Sequence, residues 1–320
     1  MFGEQDFNHP FFITYLNTGT FSFYLVGAFL SRRRSHNSIA QRKRSASEES
    51  ISSHISEEGS PLVSDEHAAA AASSHADPIS ARLTVRETVH LGVSFCMLWF
   101  AANITQNASL AYTTVANSSI LCATSGLFTL AIGAMAGVEN FNAMRLGAVL
   151  VSIMGVYSII RFGADPAGVQ AMPMSWFGDL LALSSAFLYG CYTTLLKLKI
   201  GDESRLDSSL FFGTVGLANI LLLWPGFFLL HWLGIEAFAL PGSLRLWLMI
   251  LVNALIGTFL SDYLWLMAVL MTSPLVVTLG LSLTIPLSMA GDILWKGVSV
   301  GLPYYVGAVM ILAAFIAANL

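Results

Sequence analysis

The sequence predicts an all-α fold, a polytopic membrane helix bundle, and three observations carry that prediction. Hydrophobic residues make up 55% of the 320 positions and charged residues only 11%, where soluble domains carry about 25% charged. Apolar runs of roughly 20 residues, the length of helix that crosses a bilayer core, recur along the chain. The ionisable residues cluster in one polar segment, so the net charge of −4 describes that segment and identifies no acidic or basic partner.

Taken in order, the apolar runs place nine spans near 11–30, 87–107, 113–137, 141–161, 176–196, 208–231, 245–269, 274–295 and 300–319. The first lacks a basic leader and its positive cluster follows the apolar stretch, so it reads as a retained span rather than a signal peptide. Segment 31–82 is rich in Ser, Glu, Arg and Ala and poor in aromatic and branched apolar residues. Such a composition cannot bury a core, which predicts a disordered loop. The later runs carry tryptophan at or near their ends, namely Trp176, Trp232, Trp247 and Trp295, as interfacial aromatic belts do.

Orientation follows from the basic residues, which favour the cytosolic side. With the 31–82 loop in the cytosol, only Arg161, Arg245 and Lys296 of the 15 lysines and arginines fall on the opposite side. The N-terminus is then lumenal or extracellular and the C-terminus cytosolic. A shift of 157 positions pairs 111–134 with 268–291 and matches Ala111 with Ala268, Ala123 with Gly280, Ser125 with Ser282 and Gly133 with Ala290. The chain therefore divides into 1–30, a first visible span; 31–82, the loop; 83–165, the remainder of a first repeat; and 170–320, a second repeat. Counting spans on that scheme, the helix that should open the first repeat is expected to be missing.

The stretches "HPFFITYLNT", "NASLAYTTVANSSILCATSGLFTL", "IGTFLSDYLWL" and "TSPLVVTLGLSLTIPLSMAGDI" resemble the drug/metabolite transporter superfamily with EamA-type repeats. Within it they are most similar to the F subfamily of solute carrier family 35 and its fungal thiamine-repressible relatives. The resemblance covers nearly all of the chain outside 31–82. It implies an inverted-repeat fold of ten helices with a substrate cavity between the halves, and a vacuolar or other endomembrane location.

Asp262 interrupts "IGTFLSDYLWLMAVL" (256–270). A carboxylate at the centre of a spanning helix costs about 2.5 to 3.5 kcal/mol on insertion scales, which makes an intramembrane acid a functional-site candidate by default. Solute or proton handling is one reading, and a hydrogen bond to a neighbouring helix is the other. Asn103, Gln106 and Asn107 share one helix face at spacings of three and four and serve either a solute or interhelical packing. Interrupted helices in corresponding positions of two repeats point to a transporter site. Pro286 removes the hydrogen bond to the Ser282 carbonyl and predicts a kink, and Gly126 beside Ser125 is its counterpart. On that reading Ser125, Ser282 and Thr284 face the cavity; simple packing kinks are the alternative.

Lysine and arginine occur only near predicted helix ends, so no basic clamp for phosphate is visible. A small neutral or cationic solute is expected, with Lys197 and Arg161 the residues able to change that. Cys96, Cys122 and Cys191 lie in apolar runs without CxxC spacing, so neither a metal nor a disulfide is predicted. No hydrolase, zinc-protease or phosphate-loop motif occurs, and the sequence predicts no enzyme activity, no cofactor and no nucleic-acid partner. Transport by alternating access, with proton coupling through Asp262, is the expected function; a receptor or scaffold retaining the fold is the alternative. In the loop, Ser45, Ser47, Ser56 and Ser60 sit in contexts that kinases read, and Arg32, Arg33 and Arg34 are close enough to the bilayer to bind anionic lipid.

Overall fold

A computed structural model describes residues 9–27, 29, 82–162, 175–287, 290–291 and 301–319. Segment 31–81, with Ser45, Ser47, Ser56 and Ser60, lies outside the described residues. Among the described residues every regular element is helical: α1 (Pro10–Gly19), α2 (Val85–Ser109), α3 (Val115–Ala123), α4 (Ser125–Met135), α5 (Ala143–Phe162), α6 (Ser175–Ile200), α7 (Ser208–Leu223), α8 (Pro225–Trp232), α9 (Leu244–Val252), α10 (Ser261–Met271), α11 (Pro274–Ser282) and α12 (Leu302–Asn319). A 3-10 turn, Thr20–Ser22, follows α1, and a π-helical stretch, Asn253–Leu260, joins α9 to α10.

Helix starts are written in local chemistry. Thr84 and Glu87 form a reciprocal capping box at the head of α2, the Glu87 amide donating to Thr84 Oγ1 at 3.3 Å and the Thr84 amide to Glu87 Oε2 at 2.8 Å. Thr114, Asp207, Ser243 and Ser273 each accept a hydrogen bond from the third residue of the helix they precede. Each thereby satisfies an amide that the helix itself cannot.

By length and composition six helical runs among the described residues can cross a membrane, and α7 with α8, bent by 42°, makes a seventh if counted as one. Two expected spans depart from that description. The first is interrupted by the 3-10 turn, and the stretch from Pro274 forms a shorter apolar helix to Leu287. Large apolar side chains such as Met154, Leu221, Phe228, Leu229 and Val309 stand exposed on the outer faces, more than a water-facing surface tolerates and what lipid requires.

Two ends of the bundle are defined by ties between elements. At one, which we call the basic end, the Leu83 amide donates to the Arg205 carbonyl at 2.9 Å and Lys197 Nζ donates to the Leu270 carbonyl. The start of α2, the end of α6 and the end of α10 therefore lie together. At the far end Thr113 Oγ1, after α2, donates to Asp179 Oδ1, near the start of α6, at 2.7 Å.

The main core is aromatic, built on Phe21, Phe95, Phe211, Phe212 and Tyr192 with Leu266. The 3-10 turn rests directly on α7, where a Cβ on Gly216 would sit 2.2 Å from the Ser22 nitrogen. The pairing of α5 with α12 is also backbone on backbone. A Cβ on Gly155 would meet the Gly307 carbonyl oxygen at 2.8 Å, and one on Gly307 would meet the Gly155 carbonyl oxygen at 2.6 Å. Small residues that let backbones touch are the usual means of helix association where no hydrophobic effect operates. Gly307→Val should force these backbones apart and cost about 1–3 kcal/mol, read as a lower thermal midpoint of the purified protein in detergent; an unchanged midpoint would refute the contact.

Candidate functional site

A cavity of about 400 Å³ opens between α2, α3, α4, α6 and α11. Each helix contributes a stripe dictated by helical spacing. From α2 come Ala102, Asn103 and Gln106; from α6, Ser185, Tyr189 and Tyr192; from α11 and the turn beyond it, Thr278, Ser282 and Ile285. The lining has amide, hydroxyl, thiol and aromatic groups, and no lysine, arginine, aspartate or glutamate among the described residues. Such a surface can donate and accept hydrogen bonds and offer ring faces. It cannot neutralise a phosphate.

Several of these groups are already held by the protein. Gln106 Nε2 donates to Ser118 Oγ at 2.9 Å, and Cys122 Sγ donates to Gln106 Oε1 at 2.6 Å. Both ends of the Gln106 amide are thereby oriented. Asn103 Nδ2 is used on the Trp99 carbonyl at 2.8 Å. The Tyr189 hydroxyl accepts from Trp265 Nε1 at 3.1 Å, and Trp265 also packs edge-on against Tyr192 at 5.6 Å. One tryptophan on α10 thus positions two tyrosines of the wall.

Helices α3–α4 and α11 both break beside the cavity. The first break is at Thr124, whose Oγ1 donates to the Leu121 carbonyl at 2.5 Å; the second is at Leu283, next to Thr284, whose Oγ1 donates to the Leu281 carbonyl at 2.7 Å. A threonine hydroxyl bonded three residues back marks both breaks. Ser125, Ser282 and Thr284 line the cavity, the Thr284 hydroxyl being already engaged. Gly126 lies just past the first break, where a Cβ would meet Val149 Cγ1 at 3.2 Å. Pro286 lies three residues past the second break, and its carbonyl accepts from the Tyr304 hydroxyl at 2.8 Å.

Asp262 does not line the cavity. It sits in the first turn of α10, immediately after the π-helical stretch, half-buried and with no hydrogen bond among the described residues. It is near enough to Tyr24, Tyr189 and Tyr192 for its charge to reach them. Two of these are cavity residues, so Asp262 stands close to the wall rather than in it. Asn107 also lies outside the lining, where its Nδ2 donates to Thr14 Oγ1 of α1 at 2.9 Å. Lys197 is committed to the Leu270 carbonyl at the basic end.

Ser185, Tyr189, Tyr192, Cys122 and Thr278 are cavity residues that the sequence reading did not single out. Ser185, Tyr189 and Tyr192 follow each other at four and three positions, so a polar stripe along the run 176–196 was the available signal. Two glycines, Gly133 and Gly137, shape the end of α4. A Cβ on Gly133 would sit 2.7 Å from Glu139 Cγ, and Gly137 takes a positive φ of 71° to end α4.

Comparison with known proteins places this architecture. No family profile matches the chain. An uncharacterized vacuolar membrane protein of Saccharomyces cerevisiae is 39% identical over 340 residues, covering 100% of this chain and 84% of the relative. A thiamine-repressible mitochondrial transport protein of the same organism is 35% identical over 314 residues, covering 98% of this chain and 84% of the relative. An F-group member of solute carrier family 35 from Macaca fascicularis is 40% identical over 237 residues, covering 73% of this chain and 54% of the relative. One crystal structure superposes with a TM-score of 0.63 at 14% identity over 99% of this chain and 88% of the other, which shows a shared fold.

The Gln106 network gives a direct test of preorganisation. Gln106→Leu keeps the side-chain volume but strips partners from Ser118 and Cys122, and should cost about 1–3 kcal/mol, the penalty of leaving buried polar groups unpaired. Thermal unfolding in detergent checks this, and a neutral result would show that water replaces the amide.

Proposed function

Because the chain belongs to the solute carrier 35 group of drug/metabolite transporters, we propose that the cavity is the solute site of an alternating-access secondary transporter. The protein is a membrane transporter and not an enzyme. Its solute is a small neutral or cationic organic molecule. The observation that carries this is the composition of the lining: about 400 Å³ walled by Asn103, Gln106, Tyr189, Tyr192, Ser125 and Ser282 without a described basic residue. A phosphate-bearing solute needs arginine or lysine donors.

Two broken helices meet the cavity, and broken helices free backbone groups for solute and coupling ions. Beside them, the acid at Asp262 is the group we assign to proton coupling, acting on the tyrosine wall rather than by touching the solute. We further propose the inverted-repeat arrangement, with 1–30 and 83–165 contributing to one repeat and 170–320 forming the other, and nine spans as read from the sequence. The described Arg82, Arg86, Arg145, Lys197, Lys199 and Arg205 all belong to the basic end, and Arg161 and Arg245 to the far end. On the positive-inside rule the basic end, the loop 31–82 and the C-terminus are cytosolic. The relatives' names point to two organelles, vacuole and mitochondrion; the higher identity favours a vacuolar or other endomembrane location.

Reconstituted vesicles given a mixture of small neutral and cationic metabolites, read by mass spectrometry, test the transport reading. Accumulation should exceed that of protein-free vesicles, and equal accumulation would sink it. Asp262→Asn should remove the pH dependence of net uptake while leaving insertion intact; an unaltered pH profile would remove the proton role. For the loop, we propose that phosphorylation at Ser45, Ser47, Ser56 or Ser60 adds about −1.5 to −2 charge per site and weakens the hold of Arg32, Arg33 and Arg34 on anionic lipid. Deleting 40–80 should then change flux, sorting or turnover, and no change in any of the three would make the loop a passive spacer.

A further inference from the structure

Two chain reversals in this molecule share one design. After α4 the chain runs Ala136-Gly137-Val138-Glu139, and after α8 it runs Leu233-Gly234-Ile235-Glu236. Both glycines take a positive φ, 71° and 67°, the left-handed helix-ending conformation that a side chain resists. At the first reversal the amides of Val138 and Glu139 donate to the Gly133 carbonyl at 2.8 and 3.1 Å; at the second those of Ile235 and Glu236 donate to the Leu230 carbonyl at 3.0 and 3.3 Å. The second residue after each glycine is thus aimed by the backbone, and in both cases it is glutamate.

Each carboxylate then caps the start of a helix from the opposite half of the chain. Glu139 Oε1 accepts from the Leu275 amide of α11 at 3.0 Å. Glu236 accepts from the Phe11 and Phe12 amides of α1 at 2.9 and 3.0 Å. Both capped helices begin with proline, Pro274 and Pro10, which has no N–H, so the next amides are the ones that need an acceptor. The negative charge also meets the positive end of the helix dipole. A basic side chain stands by each: Arg145 Nη1 is 2.6 Å from Glu139 Oε2, and His9 Nδ1 is 3.8 Å from Glu236 Oε1. Glu139 is 1% exposed and Glu236 9%. Glycines make the room, Gly133 under Glu139 and Gly226 under the Phe11 ring.

The two ties are reciprocal and lie at opposite ends. Lys197, at the basic end, is near enough to Glu139 for their charges to interact, whereas α7 and α8 carry the chain away from the basic end before Glu236 is reached. Glu139 joins α4 to α11, the two broken helices of the cavity wall. Glu236 joins α8 to α1, which is bonded in turn to α2 of the wall through Asn107 and Thr14.

We infer that Glu139 and Glu236 are paired latches between the two halves, one at each end of the bundle, and that releasing one opens the cavity to that end alone. Both are fastened in this structure. The inference rests on the alternating-access reading and adds to it the residues that hold each gate.

The test uses the full chain with Cys96→Ala and Cys191→Ala, leaving Cys122 on the cavity wall, reconstituted in vesicles and labelled with a membrane-impermeant thiol reagent from either face. Glu139→Gln should raise the rate of Cys122 labelling from the face at the basic end by about tenfold, the shift expected on losing a charge-assisted hydrogen bond, with the other face unchanged. Glu236→Gln should do the reverse. Labelling unchanged from the parent, or raised equally from both faces, would overturn the latches. If a glutamine variant fails to insert, Arg145→Gln and His9→Gln are read in the same way, with the same face-specific result required. Labelling needs no transported solute. Normal flux with unaltered labelling therefore rejects the latches and keeps the transporter, whereas absent flux in the parent rejects the transport reading.

Discussion

In a bilayer every backbone amide and carbonyl must find its partner inside the protein, and the departures of this chain from regular helix are organised by that constraint. At many of the places where a helix starts, breaks or widens, a side chain supplies the missing bond. Thr84 and Ser273 cap starts from their own segment, and Glu139 and Glu236 cap them from another. At the breaks Thr124 and Thr284 bond carbonyls three residues back, and Tyr304 reaches the Pro286 carbonyl. In the π-helical stretch Tyr24 donates to the Phe259 carbonyl at 2.7 Å and Ser261 to the Gly257 carbonyl at 2.6 Å. Polar side chains in this membrane domain are therefore mostly backbone partners.

That accounting separates the cavity from its surroundings. Asn103, Gln106 and Tyr189 each spend some hydrogen-bonding capacity on the protein and line the cavity as well. Asn107 is bonded to α1 and outside the lining. Ser125 and Ser282 make no side-chain hydrogen bond among the described residues and line the cavity at the two breaks. A buried polar group left without a partner is costly, and these two hydroxyls face the cavity instead.

Close packing does the remaining work. Where Gly155 crosses Gly307 and where Gly216 meets Ser22, backbones touch and little can slide. Between α4 and α11 the contact is a leucine cluster of Leu130, Leu275 and Leu279 beside a capping carboxylate and the cavity. Rigid helix pairs joined by hydrogen-bonded ends are the construction from which two-state transporters are made.

The sequence by itself determined that the chain is helical and membrane-embedded, because apolar length and the scarcity of charge leave no other solution. It also carried the family, through motifs such as "SDYLWL" and "SLTIPLS", and the stripe of Asn103 and Gln106, whose spacing is a property of one helix. Tertiary structure decided what depends on contact between distant segments. Asp262 lies near the cavity wall without lining it, in the first turn after a π-helical stretch whose wider turn no 3.6-residue period anticipates. Tyr189 and Tyr192 are held in the wall by Trp265, 76 and 73 positions away in the chain. Nothing local marks Glu139 and Glu236, whose oxygens the fold sets against helix starts 136 and 225 residues distant. A carboxylate's role depends on which amide it meets, and that is settled in three dimensions.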